Sequence, residues 1–215
     1  MIAQLDHLIA VFVGAFLILA LLVVQKRTTL TQAETTLSQV SRVQADAMVE
    51  VLAQDVENVL TPDLASGTGF PFEIRIDTAS GQTSSLSLTT LVRTTVADSA
   101  TGLAAFTPGR VRYDLTPSGR RIWTGLDSAD VYRLDRSVDT GAGFDRSPLG
   151  EVVGFDVAAL TPGGARRIGS LPAVPEQLAL SLAVAADAPT TRGDGTRSAR
   201  DRIVRAEASV RPANR

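Results

Sequence analysis

The sequence predicts an α+β protein, with one long N-terminal helix, transmembrane in its first half, packed on a mostly antiparallel β-sheet. Three observations predict it. Residues 8–24 (LIAVFVGAFLILALLVV) form an uninterrupted apolar run, no helix breaker follows until Pro62, and beyond Pro62 the apolar spacing falls from about 3.6 residues to two. The boundaries expected are a transmembrane helix over residues 1–25, its amphipathic continuation over 26–61, and a strand-rich domain over 62–215.

The apolar run is 17 residues long and holds no polar side chain. Thirteen of the 17 are Leu, Ile, Val or Phe. At roughly −0.3 to −0.6 kcal/mol each near the bilayer centre they sum to about −5 kcal/mol, more than a carboxylate such as Asp6 costs at the membrane edge. A buried helix of a soluble protein would be amphipathic, and this run is apolar all round. A cleavable secretory signal would show a basic start and a small-residue cleavage site, whereas here the start is acidic and the run ends VVQKR. Lys26 and Arg27 on the C-terminal flank would by themselves hold the domain in the cytoplasm.

Residues 25–61 are expected to carry the helix into water, giving a rod of roughly 90 Å from Ile2 to Thr61 at 1.5 Å per residue. Leu30, Leu37, Ala45, Met48, Leu52, Val56 and Val59 fall on one side of it, and Gln39, Asp46, Glu50 and Glu57 on the other. The threonine-rich stretch 28–36 is a poorer helix former, at which the rod is expected to bend or melt. Asp55 lies on the apolar side, near Leu37, Met48 and Val59. A buried carboxylate there requires a cation, and Arg202 or Arg205 of the closing strand is the expected partner, with Arg112 as the alternative. If the helix ends early, Asp55 is exposed instead.

Strands are expected where apolar residues alternate. Phe72, Ile74 and Ile76 make one, followed by a turn at residues 79–82 and a second alternation through Leu86 and Leu88. Val111, Tyr113 and Leu115 precede Pro117, Ser118 and Gly119, read as the turn of a hairpin that returns through Ile122. Further strands are expected at residues 131–134, 152–160, 178–184 and 203–210, with exposed loops at 139–148 and 190–200.

Composition narrows the chemistry. The chain has no cysteine, one histidine (His7) and a net charge of −2, which leaves no thiol chemistry, no two-histidine site and no electrostatic case for nucleic acid. No GxSxG or GxxxxGK[ST] motif occurs. Asp127, Asp130, Asp135, Asp139 and Asp145 could offer oxygens to calcium, but their spacing is not that of a compact cation loop, and they read as solvated charges. With no legible nucleophile–base pair, the expectation is no enzyme activity, no cofactor, no metal and no small-molecule substrate.

In order along the chain, four segments resemble the type IV pilin superfamily, and within it the minor pilins and type II secretion minor pseudopilins. They are the opening residues 2–9 (IAQLDHLI), residues 48–58 (MVEVLAQDVEN), the Tyr113 hairpin running on to Tyr132, Arg133 and Leu134, and the arginine-bounded closing strand 202–211. The family's early carboxylate is a glutamate, where this chain has Asp6. The resemblance implies an assembly subunit of a pilus or secretion-like apparatus, held in the bacterial cytoplasmic membrane with its strand domain outside the cytoplasm. Its partners would then be the membrane and other pilin-like subunits. Asp6, with the small residues Gly14 and Ala15, would pack against neighbours; for Asp6 the other reading is a helix-edge carboxylate among headgroups. The rival function is a membrane-tethered binding module, for which the helix is a simple anchor.

Overall fold

The computed structural model describes residues 2–60, 72–97, 104–123, 128–139, 143–160, 166–167, 169–171, 175–185 and 203–213. Among the described residues a single helix, α1 (Ile2–Glu57), is followed by ten strands: β1 (Phe72–Ile76), β2 (Thr83–Ala97), β3 (Ala104–Trp123), β4 (Ser128–Asp139), β5 (Phe144–Val152), β6 (Gly154–Leu160), β7 (Arg166–Arg167), β8 (Gly169–Leu171), β9 (Gln177–Ala185) and β10 (Ile203–Val210). The α+β class is as expected, but the strands form two sheets rather than one. A six-stranded sheet has the order β5-β4-β3-β2-β1-β8, and a four-stranded sheet the order β10-β9-β6-β7. All the pairings are antiparallel.

Helix α1 does not melt at its threonines. Thr28, Thr29, Thr31, Thr35 and Thr36 each donate the side-chain hydroxyl to the carbonyl four residues back, at 2.9–3.0 Å. The polar side chain that would compete for the backbone is thereby absorbed into the helix. The helix ends at Glu57, four residues short of the expected boundary. Asn58 donates its side-chain amide to the Gln54 carbonyl, and Val59 then pairs with Thr90 of β2. The tail returns to this point, where the Ala213 amide donates to the Glu57 carbonyl at 2.9 Å.

The core is where the second half of α1 meets both sheets. Ala45, Met48, Leu52, Val56 and Val59 are buried against Phe72, Ile74, Leu86, Leu88, Val111 and Tyr113 of the large sheet and Leu178, Leu180, Leu182, Ala206 and Val210 of the small one. Leu30 and Leu37, expected on the same face, lie above this core and remain partly exposed. The chain crosses between sheets at Val153, whose N–H donates to Ala183 while β6 begins at Gly154. The Val157 amide donates to buried Thr83 Oγ1 at 2.9 Å, which ties β6 to the start of β2.

Two expected local features differ. Pro117, Ser118 and Gly119 do not turn the chain; β3 runs straight through them to Trp123, with a register shift between Pro117 and Arg120. Proline has no N–H to place in the ladder, Gly119 takes φ of 75°, and Ser118 Oγ donates to the Val131 carbonyl at 2.6 Å, so the tripeptide forms a bulge. The loop expected over 139–148 is also too long, since β5 already starts at Phe144. The loop expected over 190–200 lies outside the described residues.

Gly109 of β3 marks a tight point within the large sheet, where two neighbouring strands close on it. A Cβ there would stand 2.8 Å from Val92 Cγ2 and 2.9 Å from the Asp139 carbonyl oxygen, so neither a rotamer change nor a small shift of one side chain makes room. Gly109→Ala should destabilise the domain by about 1–3 kcal/mol. Gly14→Ala, with nothing within 4 Å of the new methyl, should leave the urea midpoint unchanged. Equal midpoints for all three proteins would show that the sheet is looser than this packing requires.

Candidate functional site

Two features of α1 stand apart from ordinary core packing: a fully exposed apolar surface in its first half, and a half-buried carboxylate in its second. From Val11 onward the helix is long and apolar enough to span a membrane, and none of its most apolar window is covered by the rest of the chain. Phe12 is 77% exposed, and Phe16, Leu17, Ile18, Leu19, Leu21 and Val24 are exposed with it. Surface of this kind cannot face water along some fourteen residues without a large hydrophobic cost; it is built for lipid or for other apolar helices. Gly14 and Ala15 sit in the middle of it, and the space beside Gly14 is open. Asp6 is in the same helix, but its side chain lies outside the described residues, as does that of His7.

The carboxylate is that of Asp55, half-buried, with its side chain 14% exposed. One arginine fork meets it: Arg136 Nε donates to Oδ2 at 2.7 Å and Nη2 to Oδ1 at 3.0 Å. The Tyr113 hydroxyl donates to Oδ2 as well. Tyr113 and Arg136 are themselves cross-strand partners on β3 and β4, so adjacent strands place both donors over one turn of the helix. Burial, and then the Asp55 charge beside it, raise the Tyr113 phenol above its usual range. The hydrogen bonds to Asp55 raise the Arg136 guanidinium further still. The cluster therefore sets a charged Arg136 and a neutral Tyr113 against the Asp55 carboxyl.

Arg136 thus takes the place expected for the closing strand. On β10, Val204, Ala206, Ala208 and Val210 lie opposite Val184, Leu182, Leu180 and Leu178 and face inward with them, which turns Arg205 to the outer, exposed face. Arg202 lies outside the described residues. Arg112, the alternative, pairs with Asp114 at 2.7 Å on the outer face of the large sheet. A signal for Arg136 was present in the sequence: it continues the inward positions Tyr132 and Leu134 by two, and Val138 follows it. An arginine at an apolar position of a strand is a buried cation in search of an anion.

Of the five aspartates weighed as calcium ligands, Asp127 lies outside the described residues. Asp130 is bonded to Arg121, and Asp135, only 3% exposed, accepts from both Arg133 and Arg146. No group of three acidic or histidine side chains suited to a metal ion occurs among the described residues. Burial pushes the Asp135 carboxyl up, but the two arginines outweigh it and leave the group below its ordinary value.

No protein-family model matches the chain, and no curated protein or solved structure does so either.

Two outcomes follow for these carboxylates. Asp55→Ala leaves a half-buried guanidinium and a buried phenol without their acceptor, and should cost about 3 kcal/mol in urea unfolding, the low end for a buried pair. Asp55→Leu combined with Arg136→Met should recover most of that loss, because it removes both charges together. For Asp135 the lowered pKa means that the unfolded chain binds the proton first. Its contribution is complete above the ordinary carboxylate value of 3.8 and is lost as pH falls through the lower folded value. Between about pH 5 and about pH 2 the stability of the wild type should therefore fall more steeply than that of Asp135→Asn; parallel curves would refute the pairing.

Proposed function

We propose that this chain is a structural assembly subunit of the type IV pilin kind, a minor pilin or pseudopilin anchored in the bacterial cytoplasmic membrane with its strand domain on the outer side. The observation that carries the reading is that one unbroken helix supplies both the exposed apolar surface and a whole wall of the domain core. A simple tether needs no such continuity, since a flexible linker between anchor and domain would serve. A rigid shaft that shares its core with the head transmits position from the membrane to the domain, as a subunit stacked by its helix must do. The long N-terminal helix under antiparallel strands, and the order of the four pilin-like segments, support the same reading. The open side of Gly14 supports close helix packing within the membrane, where small residues let backbones approach.

The chain contains no cysteine, so a single cysteine at Ala15 gives a clean crosslinking site. In cells, Ala15→Cys should form crosslinks to small membrane proteins of the same kind, and protease added to spheroplasts should digest the strand domain. Replacing residues 2–24 by an unrelated apolar helix should abolish the crosslinks while the protein stays in the membrane. If the replaced helix supports full function, the binding-module reading gains, and if the domain is protected until lysis, the orientation is reversed.

A further inference from the structure

Between the membrane run and the core, α1 carries a second apolar line that none of the described residues covers. Thr29, Ala33, Thr36, Val40, Val43 and Ala47 are spaced alternately by four and three residues, and all six are exposed. Val40 is 58% and Val43 70% exposed, although neither lies in the membrane run. Apolar residues at this alternation mark the seam along which two helices pack side by side. The two threonines fit it, because their hydroxyls are already bonded to the carbonyls of Gln25 and Gln32, which leaves the methyl as the free group.

We propose that this line is the contact between two copies of this chain, packed as a parallel helix pair just outside the membrane. The proposal rests on the anchored-subunit reading and adds its nearest partner. Three features favour a second copy over another occupant. Two copies anchored by the same apolar run emerge parallel and at the same depth, so each seam residue meets its own counterpart without any search for register. The seam contains no charge, and Gln32, Gln39 and Gln44 stand beside it, so the only flanking charge is Asp46 at its far end and like-charge repulsion between identical helices is confined there; the seam stops where Glu50 would take the next position. Finally, the seam lies about 130° around the helix, at 100° per residue, from Ser41, Ala45, Met48 and Leu52, which are buried in the domain core. The two heads therefore splay outward and do not obstruct the contact. The seam is about 27 Å long at 1.5 Å per residue.

The test uses the full chain, purified and reconstituted in vesicles of phosphatidylethanolamine and phosphatidylglycerol, with one cysteine introduced at a time. Under mild oxidation Ala33→Cys, Val40→Cys, Val43→Cys and Ala47→Cys should yield disulfide dimers, and Thr35→Cys and Arg42→Cys, exposed but off the seam, should yield few. Adding Val43→Glu to Ala47→Cys should remove the dimer without changing the melting temperature, since Val43 is 70% exposed and outside the core cluster. Dimer yield that is absent, or equal on and off the seam, in a chain that remains in the vesicles after alkaline washing overturns the seam and leaves the anchor standing. A chain released by that wash overturns the anchored reading itself.

Discussion

Everything about the way the shaft meets the head depends on one directional contact, the carboxylate of Asp55 held by the Arg136 fork and the Tyr113 hydroxyl. The apolar packing around it supplies most of the stabilisation but is tolerant of sliding, because burial is non-directional. A helix faced with alanine, methionine, leucine and valine could shift along the sheet and still bury its stripe. An ionised pair cannot do so, since any displacement leaves a charge without its partner in a low-dielectric setting. The planar fork adds an orientation as well as a distance. As its donors come from adjacent strands, the cluster fixes helix, β3 and β4 in one mutual position, and the rest of the large sheet follows by its ladder.

The opposite face of that sheet solves a different problem. Six strands present a wide surface with no second layer described over it, and it is made of rows of polar side chains. Glu73, Ser87, Arg112, Ser137 and Arg146 form one row across five strands, and Arg75, Ser85, Asp114, Asp135 and Pro148 the next. The second row sets Asp114 directly against Asp135, which is unfavourable alone. Arg112 bonds the first, and Arg133 and Arg146 the second. Arg110 Nε donates to Ser87 Oγ at 2.7 Å, and Ser85 and Ser87 are buried with no covering element among the described residues. A sheet able to shield its own outer face in this way frees the inner face to be shared between the helix and the small sheet.

The sequence was legible wherever a periodic signal ran long enough to decide between alternatives. The apolar run, the helix beyond it, Phe72–Ile76 and Ile203–Val210 are of this kind. It was misleading where one residue type supports two geometries. Proline, serine and glycine in succession serve a turn or a bulge, and at Pro117 only the partner strand decides which. Threonine lowers helix propensity on average, but that average does not describe side chains bonded back along the helix. The need for a cation at Asp55 could be read from burial, because the cost of an unpaired carboxylate does not depend on topology. Which arginine supplies it does depend on topology. Ending β4 at Leu134 removed Arg136 from consideration, and two more residues of alternation would have put it on the inner face beside Tyr113.

The division of labour along α1 carries the functional argument furthest. Contact with the core begins at Ser41 and Ala45 and continues to Val59, so the preceding part of the helix contributes little to folding the head. That part nevertheless keeps helical order through five threonines and continues without a break into the apolar run. Isolated helix is marginal in water and is ordinarily maintained by packing on a neighbour. A stretch that the described part of the domain packs little, placed between a membrane-length apolar segment and the head, is where the second copy proposed above would supply a neighbouring helix. An anchor alone accounts for the first twenty-odd residues; the proposed helix pair would account for the exposed shaft above them.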